Sequence, residues 1–142
     1  MKILFRSELE WKEGKKGEIF CPSRPSLTVS TPPEFKGPPG YWSPEELFLA
    51  SIDSCIMTTF LYFAEKMGLV FSSYKSQIQG EVNLREGRLL FTSIVVNPTI
   101  KVKDGLNEEK AKICIEKAEK YCLISSSIGV KVTLLPKILK GD

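Results

Sequence analysis

Ser43-Pro44-Glu45-Glu46-Leu47-Phe48-Leu49-Ala50-Ser51-Ile52-Asp53-Ser54-Cys55-Ile56-Met57-Thr58-Thr59-Phe60-Leu61-Tyr62-Phe63-Ala64 is the stretch on which the fold turns. Ser43 suits an N-cap, Pro44 the first helical position, and Glu46, three residues past the cap, completes a capping box. These signals predict a helix from Pro44 to about Met67, stopped by Gly68 in a left-handed conformation. Its middle is apolar almost all round, whereas a surface helix carries one apolar stripe. It reads as a central helix.

Upstream, Lys2–Trp11, Glu18–Cys21 and Ser26–Thr31 read as short strands, the first two joined by Glu13-Gly14-Lys15-Lys16-Gly17, and together they predict an antiparallel meander. Pro32–Gly40 holds four prolines and two glycines, which leaves a loop. Downstream, Phe71–Leu84 and Leu89–Val102 flank Arg85-Glu86-Gly87-Arg88, and Ile78, Val82 and Leu84 alternate with polar residues: a long hairpin. Asn107 is expected to cap a second helix ending near Tyr121. Its apolar positions are Ala111, Cys114, Ile115, Ala118 and Cys122, and Lys110, Lys112, Lys117 and Lys120 form a solvated face. After Ser125-Ser126-Ser127, Val130–Leu135 alternates again as a final strand. The class is α+β, as a single domain over residues 1–142.

A chain of 142 residues has room for one core, and 42% hydrophobic with 26% charged residues fits a folded soluble protein. A net charge of +3, evenly spread, carries no argument for nucleic acid. No apolar run reaches membrane-spanning length on this reading, because Asp53 interrupts the longest and Glu65–Lys66 close it. Met1-Lys2-Ile3-Leu4-Phe5-Arg6 turns charged too soon for a secretory signal, which places the chain in the cytoplasm.

The chain has no histidine, so Ser-His-Asp and Cys-His nucleophile pairs and mixed Cys/His zinc sites are excluded. Its four cysteines, Cys21, Cys55, Cys114 and Cys122, contain no Cys-x-x-Cys pair, so no metal and no cofactor is expected. In a reducing compartment each is either a small buried apolar group or a redox thiol. Cys55, inside the apolar helix, reads as packing when taken alone. Cys122, at the end of the second helix, is placed to swing toward another sulfur. Cys21 and Cys114 read as structural. Glu45 lies in the first helical turn, where acids are favoured by the helix dipole, and ten residues of helix, roughly 15 Å, separate it from Cys55. If it assists that thiol it must do so from a second copy of the chain. Tyr41 and Trp42 read as a lid or as a pocket wall.

Ser30-Thr31-Pro32-Pro33-Glu34-Phe35-Lys36-Gly37, Ser43 to Ser51 with Cys55 beyond it, and Glu119-Lys120-Tyr121-Cys122 with Ser125 resemble the OsmC/Ohr family, which comprises osmotically induced proteins and organic hydroperoxide resistance proteins. The resemblance spans nearly the whole chain in order. It implies an intertwined α+β homodimer of OsmC-like fold with active sites at the subunit interface. It also implies a thiol-dependent peroxidase of the oxidative stress response, reducing organic hydroperoxides and, more weakly, hydrogen peroxide. Cys55 would be the peroxidatic thiolate and Cys122 the resolving thiol, joined in a Cys55–Cys122 disulfide that a small dithiol or a lipoyl-type protein reduces. Neither a metal nor a cofactor is needed. Family members hold an arginine of an N-terminal loop against the glutamate of the helix start. Here the turn reads Gly14-Lys15-Lys16-Gly17, so Lys15 would take that place beside Glu45, with Lys36 or Arg24 as alternatives. Tyr41, Trp42, Ile52, Ile56 and Met57 would wall an apolar substrate pocket. The alternatives are a non-catalytic ligand- or partner-binding protein of the same fold and, on basic charge alone, an RNA-binding domain.

Overall fold

A computed structural model describes residues 1–141, which divide into two compact units, Met1–Phe48 and the chain from Leu49 onward. In the first, β1 (Glu8–Glu13), β2 (Lys16–Phe20) and β3 (Leu27–Ser30) form the expected antiparallel meander in the order β1-β2-β3. The first strand is shorter than the sequence suggested. Residues 2–7 lie outside it, and every position of β1 is exposed, so alternation there had no buried face to specify a longer ladder. The proline-rich loop contains a single 3-10 turn, Pro33–Phe35, ended by Lys36 at φ 68°.

Helix α1 runs Pro44–Met67. The capping box is present in full: Glu46 N–H donates to Ser43 Oγ at 3.1 Å, and Ser43 N–H and hydroxyl both donate to Glu46 Oε1. Gly68 stops the helix at φ 66°, and Leu69 N–H bonds back to the Ala64 carbonyl at 2.9 Å. Length and composition make α1 apolar enough to cross a membrane, with a mean hydropathy of 1.6 over its best window. This corrects the expectation that Asp53 breaks the run too severely, since one carboxylate lowers an average without lowering it far. Only 22% of that window is buried within the described chain.

In the second unit, β4 (Ser73–Arg85) and β5 (Arg88–Val102) form the hairpin, with a bulge between Glu81 and Val82. Ile52, Ile56 and Phe60 of α1 are sealed, as are Ile94, Val96, Ile100 and Val102 of β5. Burial of such side chains contributes about 1.5–3 kcal/mol each. Gly80 lets the helix come close to the sheet, since a Cβ there would lie 2.9 Å from Leu49 and 2.7 Å from Phe91.

Helix α2 spans Gly105–Tyr121 and buries Ala111, Cys114, Ile115 and Ala118 as the spacing predicted. Its cap is Asp104 rather than Asn107: the Asp104 carboxylate accepts from Asn107 N–H at 2.9 Å and from the Asn107 side-chain amide, whose carbonyl oxygen accepts from Val70 N–H. A one-turn helix, α3 (Leu123–Ser126), follows where a polar loop was expected. The final strand is real but shorter, β6 (Val132–Leu134), and a further strand, β7 (Lys137–Lys140), comes after Pro136. Both pair in parallel with β5, β6 against Ile94–Val96 and β7 against Thr99–Val102. The helix crossing from β5 back to its own edge makes this a βαβ unit.

Candidate functional site

Cys55 sits midway along α1, and Thr59, one turn on, anchors its hydroxyl on the Cys55 carbonyl at 2.7 Å. The same hydroxyl lies 4.0 Å from Cys55 Sγ. The other side of the sulfur is furnished from the junction of α2 and α3. There Cys122, fully buried, caps both helices with an extended backbone, φ −62° and ψ 116°. From that turn the N–H groups of Leu123 and Ile124 and the Cys122 thiol act on Cys55 electrostatically. Ser125 and Ser126 hold the Cys122 carbonyl with their hydroxyl and N–H, at 3.4 and 3.1 Å.

The two thiols are held in opposite electrostatic states. Burial pushes the Cys55 thiol up, but the Ile124 N–H, the Cys122 thiol, the Thr59 hydroxyl and the Leu123 N–H outweigh it, so its pKa lies below the ordinary cysteine value. Burial raises Cys122, the neighbouring Cys55 raises it further, and hydrogen bonds from Ser125 only partly oppose the shift. Cys55 is thus the better thiolate and Cys122 the retained thiol. Among the described residues, the groups that lower the Cys55 pKa are Ile124, Cys122, Thr59 and Leu123, none of them an arginine.

Glu45 and Lys15 fall in the Met1–Phe48 unit, where they line one cavity of 410 Å³ with Leu9, Trp11, Val29 and Phe35. The Lys15 ammonium donates to the Lys36 carbonyl at 2.8 Å, and Glu45 Oε1, shielded from water, has no hydrogen-bond partner. Arg24 lies elsewhere in that unit, its guanidinium 2.7 Å from Cys21 Sγ, and Lys36 contributes its carbonyl to Lys15. Of the three cations considered for the place of the arginine, only Lys15 lines the cavity with Glu45.

The expected apolar wall is distributed differently. Ile52 and Ile56 are core residues with no exposure beyond 1%, and Met57 is half-buried. Tyr41 and Trp42 are exposed and line a separate hollow of 310 Å³, with Lys16 over the Tyr41 ring at 5.1 Å. The apolar walls beside Glu45 are Leu9, Trp11, Val29 and Phe35, which strand alternation gave no reason to single out. Cys114 is sealed, with its thiol 3.6 Å from Met67 Sδ, and Cys21 is half-buried.

A family model described as OsmC-like protein matches residues 37–135. The chain is 28% identical over 111 residues to the uncharacterized protein YmaD of Bacillus subtilis, spanning 75% of this chain and 73% of that one. Among solved structures it is similar to an OsmC-like protein of unknown function from Vibrio cholerae. The TM-score there is 0.81 at 20% identity, with 92% of this chain and 97% of the other covered. An OsmC-like protein from Mycoplasma pneumoniae gives 0.81 at 14% identity over 98% and 99% of the two chains. An organic hydroperoxide resistance protein OsmC from Legionella pneumophila gives 0.73 at 20% identity over 97% and 99%.

Proposed function

The chain belongs to the OsmC-like protein family, and from that premise we propose that it is a thiol peroxidase of organic hydroperoxides, with Cys55 as nucleophile and Cys122 as resolving thiol. The observation that carries this reading is the facing pair of thiols with pKa values displaced in opposite directions. The Cys55 thiolate attacks the terminal peroxide oxygen, the O–O bond breaks, and the proton that left the thiol ends on the departing alkoxide. The products are an alcohol and a Cys55 sulfenic acid. The Cys122 thiol then attacks that sulfur, water leaves, and a Cys55–Cys122 disulfide remains, which an external dithiol reduces by exchange.

Backbone N–H groups of Leu123 and Ile124 support the thiolate here. Glu45 and Lys15 act on Cys55 of the partner subunit in this proposal, which requires a homodimer. The uncovered α1 supports that assembly, since an apolar helix only 22% buried calls for a second copy to cover it. One domain over residues 1–142 and a cytoplasmic location belong to the same reading. The family match itself starts within the first unit and ends in the second.

The experiment is treatment of the reduced protein with one equivalent of cumene hydroperoxide, followed by mass spectrometry of unreduced peptides. A Cys55–Cys122 disulfide and one equivalent of cumyl alcohol are expected. A second reading, a non-catalytic binding protein of the same fold, is favoured by the unpaired Glu45 carboxylate. Unconsumed peroxide with both thiols intact would establish it instead.

A further inference from the structure

The Met1–Phe48 unit carries a hollow of 670 Å³ lined by Leu4, Phe5, Arg6, Ser7, Cys21 and Arg24. Strand β2 ends at Phe20, and Pro22, which has no N–H, cannot extend its ladder. The chain turns instead: Arg24 N–H donates to the Cys21 carbonyl at 3.2 Å, with Ser23 at φ 66° in the third position. Proline second and a positive φ third mark a type II turn, which brings its first and fourth residues within about 7 Å. The Arg24 guanidinium thus reaches back and donates from Nη1 to Cys21 Sγ at 2.7 Å, while the Cys21 thiol donates to the Arg6 carbonyl at 3.5 Å.

Two arginines therefore line the hollow of one half-buried thiol. Among the described residues neither guanidinium forms an ion pair with a carboxylate. A guanidinium has five N–H donors, and the sulfur takes one of those on Arg24. The fork that remains matches the two oxygens of a carboxylate, and Arg6 brings a second. Leu4 and Phe5 offer a short apolar wall for the body that joins a carboxylate to a sulfur. A neutral or cationic molecule would use neither arginine.

We propose that Cys21 is a site of reversible mixed-disulfide formation with low-molecular-weight disulfides that carry carboxylates, recognised by Arg6 and Arg24. The step is an exchange. The Cys21 sulfur gives up its proton and attacks one sulfur of the small disulfide, a bond from Cys21 to that sulfur forms as the original S–S bond breaks, and the departing thiolate takes the proton. One disulfide replaces another, so no further oxidant is consumed, and a later thiol reverses the step. The site does not use Cys55 and goes beyond the peroxidase reading: the cap shields Cys21 from irreversible oxidation.

The test is labelling of the reduced Cys55→Ser protein, in which no thiol of α1 competes, followed by mass spectrometry of the Cys21 peptide. Three probes are used: the disulfide of 3-mercaptopropionate, its uncharged diamide, and cystamine. Each rate is divided by the rate of the same probe with N-acetylcysteinamide, which cancels leaving-group differences. The dicarboxylate is expected to react about tenfold faster than the diamide on that scale, the size of two solvent-exposed ion pairs together. The advantage should collapse in about 1 M NaCl, where the screening length falls to about 3 Å. Arg6→Ala and Arg24→Ala should each reduce it, and Arg24→Lys should retain part of it. Equal normalised rates for dicarboxylate and diamide, a faster reaction with cystamine, or a Cys21 that stays unlabelled in the folded protein overturns the proposal. A preference that survives both alanine substitutions overturns it too. Because the protein tested lacks Cys55, none of these outcomes depends on whether the chain reduces peroxides.

Discussion

Cys55 and Cys122 act on each other unequally: the Cys122 thiol helps hold Cys55 below the ordinary cysteine pKa, while Cys55 helps push Cys122 above it. The inequality assigns an order of events. Cys55→Ser should abolish peroxide consumption, since the remaining thiols lie off α1. Cys122→Ser should allow at most one turnover and then accumulate sulfinic and sulfonic acid at Cys55, read by mass spectrometry. Equal residual activity in the two variants would contradict the roles.

Thiol reactivity should follow the same asymmetry with pH. A lowered pKa leaves Cys55 as thiolate at a pH where an ordinary cysteine is protonated, so alkylation and peroxidase rates fall only as pH drops through that lowered value. Thr59→Val removes one of the groups that lower it and should move the midpoint of the alkylation profile upward. Cys114, raised by burial, should react last; peptide mapping after iodoacetamide at several pH values checks all three statements.

Light scattering should give twice the chain mass. The measurement is best made across a dilution series, because covering α1 couples folding to association and the melting temperature should fall as concentration falls. A well-folded monomer at micromolar concentration would remove the trans role of Glu45.

Bulky hydroperoxides should be preferred to hydrogen peroxide. Burying three or four methylenes against apolar walls contributes roughly 2–3 kcal/mol at about 0.8 kcal/mol each, before ordering losses. Retained in the transition state, that corresponds to a preference of about 30- to 100-fold in kcat/KM, measurable with cumene hydroperoxide against hydrogen peroxide and dihydrolipoamide as reductant. Equal rates would show that the walls do not meet the substrate.

Gly37→Ala should destabilise the protein by about 1–3 kcal/mol, the range of overpacked sites. A Cβ there would collide with the Thr31 carbonyl oxygen, a backbone atom that cannot step aside. The loop would have to shift, and with it the Lys36 carbonyl that holds Lys15. A denaturant titration reads the loss, and an unchanged midpoint would show the loop to be adaptable.

What the sequence made legible was local. The ends of α1 follow from Ser43, Glu46 and Gly68, whose effects act within a turn, and they stand where expected. The cap of α2 was misplaced because Asp104 and Asn107 both have capping side chains; Asp104 caps, and the Asn107 carbonyl oxygen serves Val70 instead. Strand β7 went unread because Lys137–Lys140 is short, follows a proline and depends on a distant parallel partner. At the site, the two cysteines were visible as residue types. The Leu123 and Ile124 N–H groups that face Cys55 were not, since backbone donors leave no mark on composition.

The late return of β6 and β7 to β5 bears on how the chain emerges from a ribosome. Until residues 132–140 are synthesised, β5 has one edge paired with β4 and the other open along Ile94, Val96, Ile100 and Val102. An open apolar edge is a template for pairing with another chain. Nascent or truncated protein ending near Ser127 should therefore be captured by holdase chaperones or aggregate, and the last strands act as the cover that makes the finished subunit safe to release.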